Sequence, residues 1–212
     1  MSKQLRQKGF TIVELMIATS VFSVILLIMT YGILQISRTY YKGIGLARTQ
    51  EVARTISDEI GQSIQFGGDS VVMAQALDTT QGRCIGGREF SYLPYRQVAQ
   101  SPIAPQARHA MVVRDNVACG ATAQPLANAD ATGRELVPDR MRLTALSITR
   151  VGTSDLYDVQ VGVGYGDTSV FTDRNGDGQI NGSDAPIECR NDRGSQFCAT
   201  SELNTVVQKR VK

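Results

Sequence analysis

Polar and apolar positions divide the chain into three stretches of different period. The first is continuous. After nine residues, MSKQLRQKG, an apolar run FTIVELMIATSVFSVILLIMTYGILQI extends to Ile36, with no charged residue from Leu15 to Ile36. These roughly 22 residues match the ~20 that a helix needs to cross a bilayer. In the second stretch the period becomes helical. Ile33, Ile36, Tyr40, Ile44 and Ala47 recur at three- and four-residue steps, and Val52, Ile56, Ile60 and Ile64 follow every four, among interleaved charges. One helix from about Phe10 to Ile64 is expected, ended by Gly67-Gly68. The run from Phe10 to Ile36 contains no proline, and Gly32 is its only bending candidate.

The third stretch alternates. Tyr157, Val159, Val161, Val163 and Tyr165 fall on every second position, Leu146 and Ile148 do the same upstream, and VGTSD lies between the two. This reads as a hairpin of half-buried antiparallel strands. A last strand is expected from Leu203 to Val211. Residues 65–140 are less regular: VVMA at 71–74, FSYL at 90–93 and MVV at 111–113 are short apolar patches, and 125–134 reads as an exposed loop. The fold class is α+β, a long helix packed on an antiparallel sheet. The organisation is 1–9, a leader; 10–36, an apolar helix; 37–64, its amphipathic continuation; and 65–212, a globular body.

Composition narrows the function classes. The formal net charge is +2, and the Arg and Lys residues are dispersed, so nucleic-acid binding has no support. The single histidine, His109, has no evident Ser or Cys partner and is expected at the surface; no enzyme is indicated. The Gly pairs at 67–68 and 86–87 lack the strand–loop–helix context and the Lys of a phosphate-binding loop. The cysteines are Cys84, Cys119, Cys189 and Cys198, with no C-x-x-C spacing, which disfavours zinc and fits disulfides formed in an oxidising compartment. Three connectivities are open. Proximity favours Cys189 with Cys198, leaving Cys84 with Cys119.

Lys3, Arg6 and Lys8 precede the apolar run, so the N-terminus is expected to stay cytoplasmic while the rest is exported. A secretory signal peptide does not fit: the run is too long, and no A-x-A site follows it. A plain anchor leaves Glu14 unexplained, because a carboxylate in hydrocarbon costs about 2.5–3.5 kcal/mol on insertion scales.

The segment KGFTIVELMIA resembles the class III leader and mature start of the type IV pilin and type II secretion pseudopilin superfamily. It has Gly9 before the cut, Phe10 after it and Glu14 at the fifth mature position. The resemblance implies cleavage between Gly9 and Phe10 and N-methylation of Phe10, both by a prepilin peptidase. It also implies that Glu14 pairs with the Phe10 amine of a neighbouring subunit during assembly. The ending ELNTVVQKRV is similar to the last strand of minor pilins of the PilW type. Implied partners are other minor pilins, the major pilin, the prepilin peptidase, the inner-membrane assembly platform and the inner membrane itself. The implied location is the inner membrane, with a periplasmic C-terminus, and then a surface pilus. A minor pseudopilin of a type II secretion system, and a membrane-tethered calcium-dependent adhesin that does not polymerise, are the alternatives.

Residues 173–184, DRNGDGQINGSD, carry the register of a calcium loop: Asp173, Asn175 and Asp177 at positions 1, 3 and 5, Gly178 at the sharp turn, Gln179 offering its carbonyl, Asn181 at position 9 and Asp184 at 12. Calcium takes six to eight hard oxygens, which alternate residues of a tight loop can bring together. Asp in place of Glu at position 12 resembles the dockerin version. The expected ion is Ca²⁺ in a structural role, with Ile180 anchoring the loop.

Overall fold

The computed structural model describes residues 9–67, 71–72, 81–98, 109–115, 133–192 and 194–210. Most of the 125–134 loop, and Cys119, lie outside them. The chain divides into two compact units at Tyr40/Tyr41.

Helix α1 runs uninterrupted from Ile12 to Phe66 over 55 residues. In the first unit the helix is the only element among the described residues. Every position from Gly9 to Tyr31 is exposed, including Phe10, Ile17, Phe22 and Leu27. By length and composition this part of the helix is long and apolar enough to cross a membrane.

In the second unit, residues 41–66 of α1 pack on two antiparallel sheets. One has the order β6-β7-β8: Met141–Arg150, Leu156–Tyr165 and Ala199–Gln208. The alternation in β7 sends Tyr157, Val159, Val161 and Val163 into the core, as the period of two requires. A register shift between Leu143 and Ala145 lets Leu143 and Ile148 both reach that core, opposite Val163 and Val159. Strand β8 starts four residues earlier than its apolar pattern suggests and ends at Gln208, because Ala199 to Glu202 complete the ladder opposite Tyr165 to Gly162.

The helix and β8 run side by side in the same direction. A Cβ placed on Gly45 would lie 3.3 Å from the Ala199 Cβ, and one on Gly61 would lie 3.5 Å from the Val207 side chain. The buried stripe is therefore Gly45, Thr49, Ala53, Ile56, Ile60 and Ile64. The lower half of the expected stripe differs: Ile33, Ile36 and Tyr40 are exposed, as is Ala47. Ile33, Ile36 and Tyr40 belong to the first unit, where no other described element packs on the helix, and close contact with β8 begins at Gly45, where Ala199 leaves room only for a small residue.

The second sheet has five strands in the order β1-β2-β3-β4-β5: Val71–Val72, Gln81–Ile85, Arg88–Tyr92, Met111–Arg114 and Arg134–Glu135. The body thus holds two sheets where the sequence pattern suggests one. Gly86 and Gly87, at φ of 60° and 78°, form the two-residue turn between β2 and β3. Two positive φ values in succession are what a right-twisted hairpin turn needs. The helix end lands on this turn, where a Cβ on Gly67 would lie 2.3 Å from the Gly86 Cα. Glu59 of the helix bridges Arg88 of β3 and Arg134 of β5. One continuous core joins Ile56, Ile60 and Ile64 to Phe90, Tyr92 and Met111 on one side and to Val159 and Val161 on the other.

Candidate functional site

At its N-terminus the helix is closed by Thr11 and Glu14. The Thr11 hydroxyl accepts from the Glu14 backbone N–H at 3.2 Å. In return, the Glu14 carboxylate accepts from the Thr11 backbone N–H at 3.0 Å and from its hydroxyl at 2.8 Å. This is a reciprocal capping box, with Glu14 at the third helical position, where the helix dipole favours negative charge. The carboxylate thus lies one residue from Phe10, which is 80% exposed. A cut before Phe10 would create a cation next to it. The hydroxyls farther along are also satisfied internally: Thr19 donates to the Leu15 carbonyl, Ser20 to Ile17 and Ser23 to Thr19. Such back-bonding spares the apolar surface an unpaired polar group.

The loop from Asp173 to Asp184 folds around its own backbone. Asp173 accepts from the N–H groups of Gly176 and Gly178 at 2.6 and 2.7 Å, Asn175 from that of Asp177, and Asp177 from that of Gln179. Gly176 and Gly178 take φ near +75°, which glycine adopts without steric cost. The Asn175 and Asn181 amides both donate to Asp177. Asp184 has no exposed surface, and its carboxylate accepts from the backbone N–H groups of Asn181, Arg174 and Asn175. These amides hold its pKa below the usual aspartate value. Asp184 therefore fastens the two ends of the loop to each other. Among the described residues, no three Asp, Glu, His or Cys side chains are grouped closely enough to hold a metal ion. The six positions are brought into one loop, and three of them, Asp173, Asp177 and Asp184, carry carboxylates.

Around this loop lies a second, smaller core that the apolar pattern did not disclose. Phe171, Ile180 and Cys198 are buried together, with Val170, Ile187 and Cys189 packed against them. Ile180 does anchor the loop. The Cys189–Cys198 disulfide closes the segment behind it, with Cα atoms 5.7 Å apart. Cys84 is also disulfide-bonded.

The small core is joined to the sheet by Arg142. This guanidinium is buried, lies 4.6 Å from the Phe171 ring centre, and donates to the carbonyls of Tyr95 and Gly166 and to the side chains of Gln97 and Thr168. Burial lowers its pKa to about 10, and the charge of Asp167 opposes that shift. Phe171 fits here because β7 carries Gly164 beneath it; a Cβ there would come 3.2 Å from the ring. The one sequence signal for this contact was Gly164, which alternates with Val161 and Val163 and so falls on the other face of β7. Arg142 itself gave none. His109, expected at the surface, is half-buried, with Nδ1 3.2 Å from the Glu135 carboxylate, whose pKa burial raises.

Residues 4–30 match the model of the prokaryotic N-terminal methylation motif, a span that includes Gly9, Phe10 and Glu14. No curated protein and no solved structure matches the chain. The motif is the type IV pilin signal. It supports placement in the pilin superfamily, points to a structural protein, and is consistent with anchoring in the inner membrane before assembly.

Proposed function

We propose that this chain is a minor pilin that helps initiate or prime a type IV pilus, at or near the filament tip. The observation that carries the reading is the methylation motif with Glu14 at the fifth position after Gly9. On this reading a prepilin peptidase removes residues 1–9 and methylates Phe10, and the apolar helix waits in the inner membrane. Glu14 then exchanges its bonds to Thr11 for the Phe10 amine of a neighbouring subunit. The segment ELNTVVQKRV favours a minor subunit of the PilW type.

Replacing Glu14 with Ala and measuring the protein in sheared filaments tests the assembly role. A large loss of incorporation at unchanged membrane levels is expected; undiminished incorporation overturns the role given to this side chain. Uptake of the wild-type protein into a secretion pseudopilus instead of a pilus would assign it to the type II system.

Calcium at 173–184 is a second proposal, resting on the register of Asp173, Asn175, Asp177, Gln179, Asn181 and Asp184. The Asp173, Asn175 and Asp177 oxygens accept N–H groups of the loop and keep further lone pairs that a cation could take. Its test is the melting temperature with and without a chelator. A downward shift is expected in the wild type and none in the Asp173→Ala, Asp177→Ala double variant.

A further inference from the structure

We propose that Phe197 and Tyr41 form an aromatic anchor that rests the body of the protein in the lipid interface of the membrane its helix spans. This inference rests on the membrane-anchored reading of the apolar helix and extends it to the disulfide-closed loop.

The geometry begins with the contact stripe along α1. Val207 lies against Gly61 and Ala199 against Gly45. One helical turn lower, on the same face, is Tyr41. Two residues before Ala199 is Phe197, whose ring centre is 5.7 Å from that of Tyr41, with the planes tilted by 48°. The strand and its preceding loop thus run along the helix from Gly61 to Tyr41.

Both residues remain about half exposed, Phe197 at 49% and Tyr41 at 52%. Phe197 closes the short helical turn Ser195–Phe197 that leads into β8. The loop is braced by the disulfide to Cys189, by the burial of Cys198, and by the Phe197 N–H donating to the Gly194 carbonyl at 2.9 Å. Phe197 is therefore held against the helix and cannot fold back into the core.

The occupant follows from distance and chemistry. The uncharged run from Leu15 to Ile36 spans about 33 Å at 1.5 Å per residue, close to the hydrocarbon thickness. Tyr41 follows Ile36 by five residues, about 7.5 Å of helix. The interfacial zone on each side of the hydrocarbon is about 5–8 Å deep. Tyrosine is enriched at that depth, where one end of the ring is apolar and the other wet. Arg38 and Lys42 flank Tyr41 in sequence. Such cations extend their heads to lipid phosphates while their stems stay on apolar surface.

The chain has no tryptophan, so a single introduced one reports without background. The full chain is prepared as Phe197→Trp, as Tyr41→Trp, and as Phe22→Trp within the apolar run. Each is reconstituted in phosphatidylethanolamine–phosphatidylglycerol vesicles that contain lipids brominated either near the headgroup or near the chain end. F197W and Y41W are expected to emit at shorter wavelength than in urea and to lose most intensity with bromines near the headgroup. F22W is expected to lose most with deep bromines. Serine at both Cys189 and Cys198 is expected to abolish the loss in F197W and to leave that in Y41W.

Unquenched F197W and Y41W beside a quenched F22W overturn the anchor and leave the membrane reading standing. An unquenched F22W overturns both. A blue shift that grows with protein density and ignores brominated lipid assigns the pair to contact between copies of the chain, and overturns the lipid proposal. If F197W does not fold, Gln196→Trp on the same turn reports in its place, with the same outcomes.

Discussion

Replacing Phe171 with alanine tests whether the C-terminal segment is held by a real core of its own. The ring is 1% exposed and packs with Ile180 and Cys198 under the Arg142 guanidinium. A buried phenyl hides roughly 150–250 Å². At about 25 cal/mol per Å² its transfer contributes about 4–6 kcal/mol. Alanine keeps a little of this, which leaves a loss of about 3–5 kcal/mol, in the usual range for such truncations. A buried cation over the ring face supplies about 1–2 kcal/mol of that loss. Against a total stability of about 5–15 kcal/mol, the variant should be severely weakened. The assay is urea unfolding of the full chain in detergent, followed by circular dichroism with both disulfides intact. A double-mutant cycle with Arg142→Met, which keeps length and removes charge, isolates the pair; a coupling of about 1 kcal/mol is expected. A loss below about 0.5 kcal/mol, the level of an ordinary surface change, would refute the packing argument. A full loss with no coupling would refute the role given to the cation.

Two further outcomes follow from the same geometry. Gly67→Ala places a Cβ 2.3 Å from the Gly86 Cα and from the Ser63 carbonyl oxygen, and should lower stability by about 1–3 kcal/mol. Gly43→Ala, with nothing within 4 Å, should instead raise it by about 0.5–1 kcal/mol, and the same urea titration reads both. The carboxylate of Asp167 is held below the usual aspartate pKa by the Gln97 amide and then by Arg140 and Arg142. A depressed carboxylate adds stability above its unfolded pKa of about 4 and loses it as the pH falls through the folded value. Melting temperatures between pH 6 and 2 should therefore fall more steeply in the wild type than in Asp167→Asn.

The legible elements were those in which one physical requirement dominates. An apolar run of bilayer length needs no partner to be recognised, and Glu14 stands out because hydrocarbon penalises it. Strict alternation in β7 reports one buried face without reference to its neighbours. The loop at 173–184 was legible as a loop because its glycines and Asx residues bond locally; the hydrogen bonds within it join residues at most ten apart. Strands β2 and β5 were missed because they are short and carry no alternating apolar pattern, and β5 is held by β4, about twenty residues earlier in sequence.

What the sequence determined by itself was therefore the helix, its apolar and amphipathic halves, the processing signal and the β-rich class of the body. The tertiary structure decided the rest. It set small residues at Gly45, Thr49 and Ala53 to face β8, buried Arg142 over Phe171, split the strands into two sheets, and brought Phe197 to Tyr41. Each of these depends on how closely two distant segments approach. A residue's own chemistry specifies the period of its element, but the distance to its neighbour exists only once both segments have folded.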